Sequence, residues 1–65
     1  MGFAKLRGLI REKYGSDKAF AEAIGMRPSG LSRSLNGYRQ WRADEIAKAC
    51  QALNVPLTDA YIYFF

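Results

Sequence analysis

The sequence contains no histidine and one cysteine, Cys50. Without histidine, imidazole acid–base catalysis and imidazole metal ligation are excluded. One thiol cannot close an internal disulfide or supply a four-ligand zinc site. No apolar run approaches the ~20 residues that a membrane-spanning helix needs. Met1-Gly2-Phe3 does not begin the basic-then-apolar pattern of a secretory leader, so a reducing interior, the cytoplasm, is expected. There are only two prolines, and no repeats, low-complexity runs or linkers. No glycine-rich phosphate loop follows a strand, and the acids are scattered on outer faces. No enzyme activity, metal or cofactor is therefore expected.

What remains is a 65-residue chain, 49% hydrophobic, read as a single domain over 1–65. A chain this short buries only ~60% of its unfolded surface, so its core needs well-packed helices or association. The net charge of +4 is unevenly spread. Residues 1–42 hold nine Lys or Arg against three acids, a charge of +6, and residues 43–65 hold one Lys against three acids, a charge of −2. That asymmetry suggests an anionic partner for the N-terminal two-thirds.

The organising stretch is Ser16 to Gly37, SDKAFAEAIGMRPSGLSRSLNG. Ser16 is an N-cap candidate, and Asp17 follows where the positive helix end favours a carboxylate. Phe20, Ala21 and Ile24 repeat at helical spacing, which predicts a helix over 17–24. Gly25 suits a left-handed exit, Met26 plugs the turn, and Pro28 suits the first turn of a second helix over 28–36. Leu31 and Leu35 share one face of that helix. Ser29, Ser32 and Arg33 lie on the other, which is polar and basic. Two short helices with a tight break are the layout of a helix-turn-helix.

The flanking segments read as support. Phe3, Leu6 and Ile10 form the stripe of a first helix over 3–14, where the interior Gly8 costs about 1 kcal/mol relative to alanine. Gly30 is equally odd inside the second of the two central helices, and removes a side chain from a surface that approaches something closely. Ile46, Ala49, Cys50 and Leu53 make the stripe of a helix over 43–53, with Cys50 a small buried hydrophobe and Asn54 a stop. A last helical segment spans 60–64. The loop GYRQWR, 37–42, interleaves aromatics with arginines. Its Tyr38, Arg39, Gln40 and Arg42 can donate to phosphate oxygens, while Trp41 packs inward. The architecture expected is an all-α, compact five-helix bundle.

The residues AFAEAIGMRPSGLSRSLNG resemble the helix-turn-helix of the Cro/repressor, xenobiotic-response-element-like family, and RADEIAKACQALNVPLTDAYIYFF resembles the remainder of that domain. Short members occur in phages of Gram-positive bacteria. The resemblance implies double-stranded operator DNA as partner, read by dimers on palindromic half-sites. Carried over by position, Arg27, Pro28, Ser29, Ser32 and Arg33 face the DNA, with Arg33 the best candidate for a bidentate contact to guanine. Ser16, Lys18, Asn36, Tyr38, Arg39, Gln40 and Arg42 lie near the phosphate backbone. Two departures stand out: Pro28 replaces a glutamine of many members, and proline cannot read a base edge, while Leu35 replaces a glutamate.

Two functions follow from these readings. The first is a sequence-specific transcriptional regulator with its recognition helix in the major groove. The alternative is a protein-interaction module that binds another regulator, such as a second phage regulator, instead of reading DNA. The run Tyr61, Ile62, Tyr63, Phe64 and Phe65 keeps the alternative open. Five large apolar residues in a row cannot all face one side of a helix, so some are left to form an interface, between copies of the chain or with a partner.

Overall fold

Apolar residues three and four apart set the helix faces that meet in the core. The computed structural model describes residues 3–65. The reading of Met1 and Gly2 as lacking a leader pattern lies outside those residues. The described residues form five α-helices and no strand: α1 (Ala4–Tyr14), α2 (Asp17–Ala23), α3 (Pro28–Leu35), α4 (Ala43–Leu53) and α5 (Ala60–Phe64), the last entered through a 3-10 turn at Leu57–Asp59. Two helices end one residue earlier than their sequence pattern suggests, because Ile24 and Asn36 already serve as C-caps. Phe3 stays outside α1, capping it in a left-handed conformation at φ 52°.

The helix exits follow local chemistry. The Met26 N–H donates to Ala21 O and the Gly25 N–H to Glu22 O, which is the Schellman pattern that needs a left-handed residue after the helix. Gly25 supplies it at φ 73°. Gly37 does the same after α3, with the Tyr38 N–H donating to Arg33 O. Asn54 closes α4 in the left-handed region at φ 58°, an asparagine in glycine's role. At the start of α2 the Ser16 Oγ accepts from the Ala19 N–H at 3.2 Å, as an N-cap serine should.

The core joins Leu6 and Ile10 of α1, Phe20 and Ala21 of α2, Leu31 and Leu35 of α3, Ala49, Cys50 and Leu53 of α4, and Ala60 and Phe64 of α5. Phe20, the largest fully buried side chain, meets the Tyr14 ring edge-on at 5.3 Å. The Tyr14 hydroxyl donates to Ala52 O, tying α1 to α4. Trp41 closes the other end, with its ring 4.9 Å from Phe64 and 6.4 Å from Phe3, both edge-to-face. The Arg7 guanidinium donates to Leu35 O at 3.0 Å and to Asn36 Oδ1 at 2.7 Å, satisfying a carbonyl that the end of α3 leaves open.

The C-terminal aromatic run is divided. Phe64 is 5% exposed and belongs to the core, so it is not available to an interface. Tyr63 is half-buried, and Tyr61, Ile62 and Phe65 are exposed. The split follows the helical period, since Ala60 and Phe64 are one turn apart and face inward together.

Candidate interaction surface

α3 presents two faces. Leu31, Ser34 and Leu35 point inward and are fully buried. Arg27, Pro28, Ser29, Ser32 and Arg33 are exposed, with Gly30 half-buried between them. Pro28 stands at the start of the helix, where its missing N–H costs nothing, and Arg27 caps it through backbone alone, leaving its guanidinium to solvent. Arg33 is two residues from each of the inward leucines, and at ~100° per residue it faces away from them. Among the described residues, no hydrogen bond or ion pair within the chain engages the side chains of Arg27, Arg33 or Lys18.

A cleft of about 300 Å³ runs beside this face, lined among others by Met26, Arg27, Gly30, Arg33, Arg39 and Glu45. Its far wall is an internal lock. Arg39 Nη2 donates to Glu45 Oε2 at 2.6 Å, and Arg39 Nη1 to Glu45 Oε1 at 2.9 Å and to Ser34 Oγ at 3.0 Å. Glu45 is the third residue of α4 and also accepts from the Arg42 backbone N–H at 2.9 Å, half of a capping box. These bonds, led by that from Arg39, hold the Glu45 carboxyl below the usual range against the opposing effect of burial. The hydrogen bond to Glu45 in turn pushes Arg39 above its ordinary value.

The residues expected on phosphate are thus of two kinds. Arg39, expected to donate outward, is occupied by Glu45 and Ser34, and its side chain is 32% exposed. The Asn36 side chain accepts from Arg7 and donates to Ser32 Oγ at 3.4 Å, and Ser16 Oγ caps α2. Arg42 is exposed and lies 3.4 Å from Asp44 in an ion pair. Lys18, Tyr38 and Gln40 remain exposed and open. Ser34 is a participant that the sequence reading missed. It sits three residues after Leu31 on the apolar face, and a polar group in such a place requires a buried partner. That partner is Arg39.

Trp41 packs inward as expected, but its indole N–H is buried with no acceptor among the described residues. It borders a groove of about 350 Å³ with Phe3, Ile46, Phe64 and Phe65. Cys50 is 2% exposed, and burial pushes its thiol up. Among the described residues no helix is long and apolar enough to cross a membrane.

A family model described as "Protein of unknown function (DUF739)" matches residues 1–65, the whole chain. The chain belongs to the DUF739 family. No curated protein matches it. Among solved structures, this DUF739 chain is similar to the solution structure of the modulator of repression (MOR) of the temperate bacteriophage TP901-1 from Lactococcus lactis. The two are 38% identical, with 98% of this chain and 86% of that chain covered and a TM-score of 0.86. This finding corrects the reading of the chain as a sequence-specific DNA-binding regulator. The similar protein is a modulator of repression, and that likeness supports the protein-interaction alternative over direct operator reading.

Proposed function

We propose that this chain is a protein-interaction module that binds another phage regulator, a repressor protein, and thereby modulates repression in the bacterial cytoplasm. The observation that carries this reading is the 38% identity, over nearly the whole chain, with a phage modulator of repression. The surface chemistry supports it. A duplex binder gains most of its affinity from cations free to displace counterions at phosphates. Here Arg39 is neutralised by Glu45, Arg42 is paired with Asp44, and Ser16 and Asn36 are engaged within the fold. Pro28 puts no hydrogen-bonding side chain at the start of the helix that a DNA reader would insert into the groove.

The test is direct. The purified chain is mixed with the repressor encoded in the same genome, and complex formation is followed by sedimentation and calorimetry. In parallel, the chain alone and the mixture are titrated onto the repressor's operator in about 0.15 M salt. The expected result is a stable protein complex that changes operator occupancy, with no shift of DNA by the chain alone. Tight, salt-steep operator binding by the chain alone, with no protein complex, refutes the proposal.

A further inference from the structure

Resting on that reading, we infer that the cleft over Gly30, between Arg27 and Arg33, is where the chain receives carboxylate side chains from an acidic segment of its protein partner. Three independent features meet there. The first is charge. The cleft is lined by Arg27, Arg33, Arg39 and one acid, Glu45. Arg39 holds Glu45 through two parallel hydrogen bonds, so that pair is self-neutralised and the charge left over is that of Arg27 and Arg33. Both are exposed and have no partner within the chain among the described residues. A planar guanidinium offers a fork of donors matched to a carboxylate, and two of them flanking one cleft define where an acidic side chain is held.

The second feature is Gly30. Its backbone is helical, and a Cβ built there meets only Met26 Cε, at an ordinary 3.9 Å. The fold therefore does not require glycine, and helix propensity disfavours it. What glycine does is keep the floor of the cleft low, so that an incoming group reaches the backbone of α3 between the two arginines. The third feature is the short, donor-bearing neighbour Ser29, which leaves the cleft open at its rim and adds a hydroxyl. The space, about 300 Å³, suits one or two acidic side chains on a helix or loop.

The experiment uses the full chain and the repressor encoded with it, with affinities measured by calorimetry across a salt series. Arg27→Glu/Arg33→Glu should weaken the complex at least about tenfold, since hydrogen bonds to charged groups are lost and repulsion replaces them. Arg27→Lys/Arg33→Lys keeps charge without the fork and should fall between wild type and reversal. Gly30→Val should weaken binding by filling the floor, while Gly30→Ala reports whether one methyl suffices. All the arginine variants should remain folded, with melting curves only slightly shifted, because both side chains are exposed and unbonded and the one local cost is that of a glutamate in the last turn of α3. If wild type and the charge reversal bind the repressor equally, the cleft assignment is overturned and the proposed function stands. If wild type forms no complex, the proposed function itself fails and takes the cleft with it. If the arginines instead control binding of an operator duplex and not of the repressor, the partner of the cleft is nucleic acid and the inference is wrong.

Discussion

Replacing Gly8 with alanine should make the domain more stable. Gly8 is the fifth of the eleven residues of α1, well inside the helix. It is exposed, it is not among the residues at positive φ, and a Cβ placed on it meets nothing within 4 Å. No overpacking or backbone strain therefore opposes the change. What remains is the difference in intrinsic propensity, about 0.8–1.0 kcal/mol in favour of alanine, arising largely from the freedom that glycine keeps in the unfolded chain. In a domain of this size about 1 kcal/mol moves the melting temperature by about 4–8 °C. Thermal unfolding followed by circular dichroism, with urea unfolding to confirm an unchanged m-value, measures it. A melting temperature that is unchanged or lower refutes the reasoning. α1 would then not be regular through Gly8, or the position would be filled by something other than solvent. The variant should also bind the repressor as well as wild type does, since Gly8 lies outside the cleft over Gly30.

Further outcomes follow from the core and from the part-buried ion pair between Arg39 and Glu45. Phe64→Ala should cost about 3–5 kcal/mol and leave so small a domain largely unfolded, whereas Phe65→Ser should shift stability by no more than about 0.5 kcal/mol, both read from melting curves. The Glu45 carboxyl titrates below its ordinary range when folded, so its stabilisation is complete above the unfolded carboxylate pKa and is lost as pH falls through the folded one. Melting temperature should accordingly drop on acidification, and Glu45→Gln should start lower at neutral pH and show a shallower acid dependence. Cys50, buried and with its thiol pushed up, should react slowly with a disulfide reagent in the native state and fully in concentrated guanidinium. Rapid native labelling would mean that α4 opens readily.

What could be read from the sequence was whatever short-range chemistry decides. Gly25, Gly37 and Asn54 end their helices by the same left-handed exit, and each is legible because only a few neighbouring hydrogen bonds are involved. The leucines of α3 and the stripe of α4 are legible because helical periodicity assigns faces without knowledge of the partner helix. Arg39 was not legible, because its destination depends on how the 37–42 loop folds back toward the start of α4. The clue was Glu45 at the third position of its helix. An acid in the first turn suits the helix dipole by itself, and in the structure Glu45 is both a backbone cap and the receptor of a guanidinium. The aromatic tail was half legible: its period puts Phe64 with Ala60, but composition alone does not say which of five apolar residues the core takes.

The occupant of the α3 face was the least legible element, and the reason is physical. Two helices set at an angle by a glycine turn project a row of side chains, and the same projection serves a DNA groove or an acidic protein surface. Charge sign does not decide between them, since both partners are anionic. What separates them is the number of cations left unpaired and their spacing. Each neutralised phosphate adds about 0.9 to the salt dependence of duplex binding, so a DNA reader needs many free cations spread along the backbone path. In this chain the loop arginines turn back to Glu45 and Asp44, and the cations without partners that flank the exposed face of α3 converge on one small cleft. Two guanidinium groups at one cleft are an arrangement that holds a few carboxylates in a defined register. The salt slope of the repressor complex should therefore be shallow, close to the two charges that Arg27 and Arg33 contribute, and a slope several times steeper would mean that the charge spread over the rest of the chain takes part in binding.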